Sequence, residues 1–303
     1  MGRRVGVGFV LQPEERYLGL LEPVFGELGD YFEIAPETTW WAEEDGSLRT
    51  NGFAERFAEL GERWAPASAV SKPFVAHGVG LSLGGARPED RPRQRRWQRR
   101  IAEDHRRFNF AWLSDHLAVT DIGGEAHALP LPLVPTPTVA ALVRRRLAEL
   151  RSIVPAVAVE NAAHMFTFGD PLEETELIAG VLELPGSHLL LDLYNLVMMA
   201  ENMGFAAADY LARIDLSRVI ELHIAGGSWS PDGWLPSGRS YLLDSHSSAV
   251  PEAVWSLLEQ VLPRCTGLRG VTLERMEGTV GEGDVRAIEA ELRRLRAVVE
   301  ASG

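Results

Sequence analysis

Short apolar runs alternate along the chain with longer segments in which apolar residues recur at helical spacing. Tyr17, Leu20, Leu21, Val24 and Phe25, for example, follow the spacing of one buried helix face. The apolar runs predict strands at residues 5–10, 31–35, 74–77, 110–116, 156–161, 189–195, 219–224 and 270–274. The periodic segments predict helices at 14–28, 53–64, 87–108, 139–153, 172–184, 206–214, 251–262 and from 284 to about 299. Residues 120–137, rich in Gly and Pro, are expected to form a loop.

The regular alternation of strands and helices favours parallel strand–helix–strand units. Eight such units in 303 residues fit a (β/α)8 barrel, and we expect residues 1–303 to form one catalytic domain. A doubly wound open sheet is the alternative. The chain carries neither a G-x-G-x-x-G segment after its first strand nor a phosphate-binding loop, so nothing indicates a nucleotide-binding fold.

Polar side chains stand at the carboxyl ends of most predicted strands. These residues are His77, His116, Glu160, Asp192 with Asn195, His223 and Glu274, and the loop after the seventh strand adds Asp244 and His246. In an extended segment Asp244 and His246 would point to the same side, because side chains alternate along a strand. In a barrel, all of these groups would converge on one mouth.

A shared cation would explain why charged and imidazole groups end strands that are otherwise apolar. Burying such groups without partners costs several kcal/mol each. Imidazole and carboxylate are common ligands of iron, zinc and manganese, and nine groups exceed what one ion needs. We therefore expect two or three metal ions. The single cysteine, Cys265, excludes a cysteine-based zinc site and an internal disulfide framework.

The net charge of −13 disfavours general affinity for nucleic acid or for an anionic membrane. No apolar stretch approaches the roughly 20 residues that a membrane span needs. The amino terminus, Met1-Gly2-Arg3-Arg4, is not followed by the apolar run of a signal peptide. We expect a cytoplasmic protein.

Two further segments allow alternative interpretations. The arginine-rich run 91–100 is expected to be the solvated face of a helix whose Trp97, Ile101 and Phe108 pack inward; the alternative is a surface for an acidic partner or peptide. Trp229 and Trp234, in the loop 226–240, are expected either to form a lid or peptide-contacting wall or to fold on themselves.

The motifs around the strand ends resemble those of the multinuclear non-heme iron-dependent oxidative enzymes, a family that includes the methanobactin biosynthesis oxidase. The resemblance covers nearly the whole chain and rests on H-G-V-G-L-S-L at 77–83, S-D-H-L at 114–117, E-N at 160–161, L-L-D at 190–192 with Asn195, E-L-H-I-A-G at 221–226 and L-E-R at 273–275. It implies a barrel of the xylose isomerase and apurinic endonuclease type. It also implies two or three iron ions in mixed Fe(II)/Fe(III) states, with dioxygen as co-substrate.

The resemblance further implies a substrate and a partner. The substrate would be a ribosomally made precursor peptide, modified at a cysteine or at its C-terminal residue, and a separate protein would recognise the peptide leader. By the same resemblance, one iron would be held by His77, His116 and Glu160, and a second by Glu160 as a bridge with Asp192, His223 and Glu274. A third, weaker position would use Asn195, Asp244 and His246. Glu160, His223 and Asp244 are the expected catalytic residues.

The sequence departs from the family pattern in the residues that surround these ligands. Tyr194 stands where many members have Asn, Gly227 where many have a second His, and Met276 where an Asp is frequent. Glu160 is followed by N-A-A-H in place of the usual N-P-S-S, and we interpret His164 as a loop histidine without a role rather than as a supporting group.

Two other functions would suit the same strand-end ligands. A zinc- or manganese-dependent hydrolase or sugar isomerase could use them to activate water or to polarise a carbonyl group. A barrel that binds metal and pairs with another subunit without turnover is the second alternative.

Overall fold

Eight parallel strands close into a barrel in the computed structural model, which describes residues 4–43, 46–123 and 125–302. Each strand pairs with its sequence neighbours, and the first pairs with the last. The barrel prediction is thereby confirmed, and the open-sheet alternative is wrong. The strands are β1 (Gly6–Val10), β2 (Tyr31–Ile34), β3 (Phe74–Gly78), β4 (Leu113–His116), β5 (Val157–Glu160), β6 (Ser187–Asp192), β7 (Val219–Ile224) and β8 (Gly270–Leu273).

Helices surround the barrel and connect its strands. They are α1 (Glu15–Leu28), α2 (Gly52–Arg63), α3 (Arg91–Phe108), α4 (Pro137–Arg151), α5 (Glu174–Leu182), α6 (Leu193–Met203), α7 (Ala207–Arg213), α8 (Glu252–Val261) and α9 (Val285–Ala301). Short 3-10 turns lie at Pro36–Thr39, Pro88–Asp90, Pro171–Glu173, Leu216–Arg218 and Leu262–Arg264. The extent of residues 1–303 as one catalytic domain stays a prediction.

The sixth strand is shorter than its sequence pattern indicates. We expected it to run to Asn195, but it ends at Asp192, whose Oδ1 accepts a hydrogen bond from the backbone N–H of Asn195 at 2.7 Å. This N-cap starts α6, which was not expected from the sequence. Because α6 is buried on most of its sides, its apolar residues show no clear helical period and resemble a continuing strand.

Two β-hairpins extend the loops that follow β2 and β4. Trp40–Ala42 pairs with Leu48–Thr50, and Val119–Ile122 pairs with Glu125–Leu131. The expectation of a loop at 120–137 is therefore wrong over much of that range. The Gly and Pro content of this segment is typical of turns. A sequence with such low strand propensity becomes extended only when it pairs with a neighbouring strand.

Helix α3 packs as the sequence predicts. Ile101 and Phe108 are buried, and Trp97 packs against the core. Several of its arginines have acidic partners, including Arg91 with Glu149 and Arg100 with Asp104. Its use as a surface for an acidic partner stays a prediction.

The lower half of the barrel interior is filled by one tyrosine and a ring of apolar side chains. Tyr31 fits because interior positions facing it are glycines: a Cβ built on Gly8 would lie 2.3 Å from Tyr31 Cζ, and one on Gly270 would lie 2.3 Å from its hydroxyl oxygen. Trp112 packs edge-on against the Tyr31 ring, with centroids 5.3 Å apart. The barrel is thus closed at the bottom, and its polar groups lie above this layer.

Among the described residues, no helix combines the length and the apolar character needed to cross a bilayer. The prediction that the chain begins without a signal peptide concerns residues 1–4, of which the first three lie outside the described part.

Replacing Gly8 by Ala should destabilise the barrel. The added methyl group would overlap the Tyr31 ring, and overpacking of this kind costs about 1–3 kcal/mol of unfolding free energy. Urea unfolding followed by circular dichroism measures the effect. The matched control is Gly19→Ala, where nothing lies within 4 Å of the new Cβ and the helix α1 should gain stability. Equal midpoints for the two variants would contradict this account of the Tyr31 layer.

Candidate metal centre

The barrel brings all nine sequence-predicted groups to the mouth formed by the carboxyl ends of its strands. His77, His116, Glu160, Asp192 and His223 lie within the last residues of their strands. Glu274 directly follows β8, Asn195 lies in the first turn of α6, and Asp244 and His246 come from the loop between β7 and α8. Their convergence agrees with the expected geometry, whereas their roles as metal ligands stay a prediction.

Glu160 is the centre of the first group. Its Oε2 lies 2.9 Å from His116 Nε2 and 3.4 Å from His77 Nε2, and its Oε1 lies 3.3 Å from the amide nitrogen of Asn195. The Nδ1 atom of His77 contacts Ser114 Oγ at 2.9 Å. A hydrogen bond from Nδ1–H to this hydroxyl group leaves the lone pair of Nε2 directed at Glu160, as a metal ligand requires.

Glu274 is the centre of the second group. Its Oε2 lies 3.2 Å from His223 Nδ1 and 3.7 Å from His246 Nε2. His223 Nδ1 is also 3.9 Å from Asp192 Oδ2, and His246 Nε2 is 2.6 Å from Asp244 Oδ1. The two groups meet where the rings of His77 and His223 have centroids 5.1 Å apart.

The backbone of His246 is held in the left-handed region, with φ of 47°. A non-glycine residue adopts this conformation at some energetic cost, and such strain concentrates at functional sites. The expected proximity of Asp244 and His246 is therefore observed, although it is produced by a turned backbone rather than by an extended one.

Several of the facing atoms are buried and have no hydrogen-bond partner among the described residues. They are Glu160 Oε2, Asn195 Oδ1, His223 Nδ1, Asp244 Oδ1, His246 Nε2 and Glu274 Oε2. Native proteins rarely leave so many buried polar atoms unsatisfied in one place. Where a neutral imidazole carries its proton on the other ring nitrogen, its lone pair faces a carboxylate oxygen, and a cation between the two would suit both.

Sets of three residues have ligand atoms close enough to share one ion. The sets are His77, Glu160 and His223; Glu33, His223 and Glu274; and Asp192, His246 and Glu274, each with its ligand atoms within 4.8 Å of one another. These sets differ from the division among three irons that the family resemblance implies, because His223 is close to both groups. The division itself stays a prediction.

Sequence reasoning missed two buried glutamates beneath the centre. Glu33 lies in β2 with its Oε2 2.9 Å from His223 Nε2, and Glu221 lies in β7 with its Oε1 3.8 Å from the same nitrogen. Both are fully buried. The sequence does single out these two residues, because each is the only carboxylate in an apolar strand segment. Each lies before the end of its strand, however, so its sequence position does not indicate the barrel mouth.

Burial and neighbouring carboxylates move the pKa values of the imidazoles in different directions. Burial lowers the pKa of His77 to about 4, against the opposing effect of Glu160. Burial also acts to lower the pKa of His116, but Glu160 outweighs it and brings the pKa to about 9. For His246, burial is likewise outweighed, chiefly by Asp244, and the pKa is about 10.

The carboxylates compete for these imidazoles. Burial raises the pKa of Asp192 well above its usual range, and the nearby Glu274 and Glu160 raise it further. Burial acts on Glu274 in the same direction, but the positive charges of His223 and His246 outweigh it and lower the pKa of that carboxyl. Without metal ions, we therefore expect protons to be shared between the carboxylates and the imidazoles of the centre.

The loop after β3 is shaped by contacts that leave no room for side chains. A Cβ on Gly78 would lie 2.6 Å from Asp115 Oδ2, and one on Gly80 would lie 2.3 Å from the Trp97 ring. Glu37 Oε1 accepts hydrogen bonds from the backbone N–H groups of Val79, at 2.7 Å, and Gly80, at 2.8 Å. The glycines of the H-G-V-G segment thus place His77 and close one wall of the mouth.

Tyr194 fills the space that a side chain at position 227 would need. A Cβ on Gly227 would lie 2.3 Å from the hydroxyl oxygen of Tyr194 and 2.0 Å from the carbonyl oxygen of Leu243. The Tyr194 hydroxyl group donates a hydrogen bond to that carbonyl at 3.0 Å. Tyr194 can therefore be large only because position 227 is small.

His164 lies in a loop, as expected, and its lack of a functional role stays a prediction. The residue is buried, with Nε2 3.3 Å from Glu174 Oε1 and Nδ1 3.3 Å from the carbonyl oxygen of Pro130. It ties the loop after β5 to α5 and to the second hairpin.

The family model of RiPP precursor modification enzymes, MbnB/TglH/ChrH, matches residues 6–300. The chain belongs to this family. The resemblance seen in the sequence is thereby confirmed, and this member of the MbnB/TglH/ChrH family is an enzyme with a role in modifying a ribosomally made precursor peptide.

Relatives of this MbnB/TglH/ChrH family member carry the name UPF0276 protein. One from Bordetella pertussis is 34% identical over 280 residues, which cover 90% of this chain and 85% of that protein. Another, from Pseudomonas aeruginosa, is 33% identical over 265 residues, covering 84% of this chain and 82% of that protein.

Solved structures share the fold at low sequence identity. Endonuclease IV from Thermus thermophilus is 18% identical with a TM-score of 0.53, covering 96% of this chain and 99% of that chain. The IOLI protein with a bound zinc atom is 13% identical with a TM-score of 0.60, covering 99% of each chain. A xylose isomerase domain protein from Planctomyces limnophilus is 12% identical with a TM-score of 0.58, covering 99% and 100%. These likenesses show that the family member shares the barrel fold of these proteins.

Metal binding at this centre should release protons. His116 and His246 are in the doubly protonated, positively charged form at neutral pH when no metal is present, because their pKa values are about 9 and about 10. A ligating imidazole nitrogen must lose its proton, so metal affinity should rise as the pH rises from about 6 to about 9. Zinc titration of the metal-free protein in a weakly buffered indicator solution measures the release. His116→Gln should release fewer protons, and a pH-independent affinity would contradict the prediction.

Proposed function

We propose that the protein is a multinuclear non-heme iron enzyme that uses dioxygen to oxidise a cysteine or the C-terminal residue of a ribosomally synthesised precursor peptide. The observation that carries the proposal is the excess of buried carboxylates over cationic side chains at the barrel mouth. The buried carboxylates are Glu33, Glu160, Asp192, Glu221 and Glu274, and Asp244 lies beside them, partly exposed. The ionisable bases that face them are the imidazoles of His77, His116, His223 and His246.

In the described part of the chain, none of these carboxylates pairs with an arginine or a lysine. Leaving buried carboxylates without full compensation costs several kcal/mol per group, so added positive charge would stabilise the arrangement. Divalent or trivalent metal ions supply that charge in the smallest volume. The nine strand-end groups exceed the ligand number of one six-coordinate ion, which supports two or three ions.

The donor set fits iron and also fits manganese and zinc, since it combines imidazole with carboxylate oxygen. The choice of iron rests on the motifs shared with the iron-dependent oxidative enzymes, above all H-G-V-G-L-S-L at 77–83 and S-D-H-L at 114–117. Bound iron would supply a position for dioxygen and a Lewis acid for a substrate thiolate or carboxylate.

Some residues of the centre are buried, whereas others are partly exposed to solvent. Glu160 and His223 are buried and face both groups of ligand atoms, so we assign them to hold adjacent ions in a fixed relation. The side chains of Asp244 and His246 are 24% and 13% exposed. We assign Asp244 to the substrate side, where it can accept a proton from a substrate group as that group binds.

Exposed apolar side chains support a peptide substrate. Of the ten large hydrophobic residues that are exposed in the described part of the chain, nine lie in loops that follow barrel strands, at the same end as the proposed metal centre. They include Phe166 and Phe168 after β5, and Trp229 and Trp234 after β7. The exposure of these two tryptophans favours a peptide-contacting wall over a loop folded on its own aromatics. A separate protein that recognises the peptide leader remains part of the proposal.

A zinc- or manganese-dependent hydrolase or isomerase is the second candidate. It is favoured by the fold neighbours, among them endonuclease IV and the zinc-bound IOLI protein. The net charge of −13 argues against nucleic acid as the substrate.

Protein purified without oxygen should contain two or three iron ions per chain. Glu160→Gln should lose at least one of them, because the carboxylate that faces His77 and His116 becomes an amide. Elemental analysis and Mössbauer spectroscopy give the count and the oxidation states. The control is Glu174→Gln, a buried glutamate beside His164 and outside the nine groups, which should keep its iron. Fewer than two irons in the unaltered protein, with zinc or manganese at full occupancy, would favour the second candidate.

A further inference from the structure

Glu33 is a fully buried carboxylate on a rigid part of the barrel. Its backbone is paired on both sides, in register with Val10 of β1 and Val75 of β3. The side chain is inaccessible to solvent and points into the barrel beneath the metal centre, where it reaches His223. Its position is therefore fixed by two strand ladders and not by a mobile loop.

The contacts of Glu33 differ from those of the neighbouring Glu221. Glu221 accepts hydrogen bonds from the Trp112 indole at 2.5 Å, the Thr272 hydroxyl group at 2.7 Å and the Tyr31 hydroxyl group at 3.0 Å. Both of its oxygens are satisfied without His223. Glu33, in contrast, contacts His223 Nε2 at 2.9 Å through Oε2, and its Oε1 has no hydrogen-bond partner in the described part of the chain.

The imidazole of His223 is held between two carboxylates. Its Nε2 faces Glu33, and its Nδ1 faces Glu274 Oε2 at 3.2 Å. A neutral imidazole carries a proton on one nitrogen and a lone pair on the other. When Nε2–H donates to Glu33, the lone pair of Nδ1 is directed into the proposed metal centre.

We propose that Glu33 is a positioning residue that fixes the tautomer and ring orientation of His223, so that Nδ1 serves as the metal ligand. The proposal rests on the proposed metal centre and adds to it a residue from β2, a strand that contributes none of the nine groups predicted from the sequence. A carboxylate that accepts from a ligating histidine also makes the imidazole a stronger donor to the metal.

A purely structural role does not explain this carboxylate. Glu33, Glu221, Glu274 and Asp192 all lie within 4 Å of the His223 ring nitrogens, so four carboxylates surround one imidazole. Without a metal ion this arrangement should destabilise the fold, and a neutral side chain of the same shape should be preferred. Replacing Glu33 by a neutral side chain of the same shape is therefore expected to raise the stability of the metal-free protein and to lower its affinity for metal.

The test compares Glu33→Gln, Glu33→Ala and the control Glu174→Gln in the full-length protein. Gln keeps an oxygen that can accept from His223 Nε2–H but removes the charge, whereas Ala removes the acceptor. Zinc serves as a redox-inert probe, with affinity and stoichiometry measured by competition against a chromophoric chelator. The thermal unfolding midpoint is measured separately in the presence of EDTA.

For Glu33→Gln we expect unchanged stoichiometry, roughly tenfold weaker zinc binding and a higher midpoint of the metal-free protein. Glu33→Ala should bind roughly a hundredfold more weakly. Glu174→Gln, which alters a glutamate 3.3 Å from His164 Nε2, should bind zinc as the unaltered protein does.

Three results would overturn the assignment of Glu33. Unchanged affinity in both Glu33 variants would exclude positioning. Loss of one zinc equivalent in Glu33→Gln would make Glu33 a direct ligand, as its place within 4.8 Å of the His223 and Glu274 ligand atoms also allows. A fall in both affinity and metal-free stability would indicate a structural role. Failure of the unaltered protein to bind metal would instead refute the metal centre itself.

Discussion

The burial of carboxylates without arginine or lysine partners is the constraint on which the rest of this structure depends. Glu160 and Glu274 each face two imidazoles, and their inner oxygens have no hydrogen-bond donors in the described part of the chain. In an apolar barrel, such charges are costly unless positive charge lies among them, from protonated imidazoles or from the proposed metal ions. The closed sheet holds the strand ends at fixed separations, so the side chains cannot move apart to find water.

The barrel interior changes character from bottom to mouth in three layers. Tyr31 and Trp112 belong to the apolar bottom layer, yet each directs its polar atom upward to Glu221. The middle layer thus contains one glutamate that is fully satisfied and another, Glu33, that depends on His223. The top layer holds the ligand atoms that face one another. Hydrogen-bond satisfaction decreases toward the mouth, which is where metal ions and substrate would complete it.

Tyr194 and Gly227 depend on each other through a shared volume at the barrel mouth. The tyrosine hydroxyl group occupies the volume that a side chain at position 227 would need, and it bonds to the carbonyl group of Leu243, next to Asp244. A smaller residue at position 194 would leave a cavity, and a side chain at position 227 would overlap the tyrosine. The pair therefore supports the loop that carries Asp244 and His246.

The sequence alone determined the barrel, because eight apolar runs alternating with amphipathic segments leave few other topologies. It also determined the nine polar groups at the mouth, since an imidazole or a carboxylate at the end of an apolar run is unusual in any fold. It did not determine the boundary between β6 and α6, because a helix that is buried on most sides has no polar face to reveal its period. Only the tertiary structure showed Glu33, His164 and the Tyr194–Gly227 pair. Their meaning lies in contacts between strands and loops far apart in the chain, and such contacts leave no local pattern.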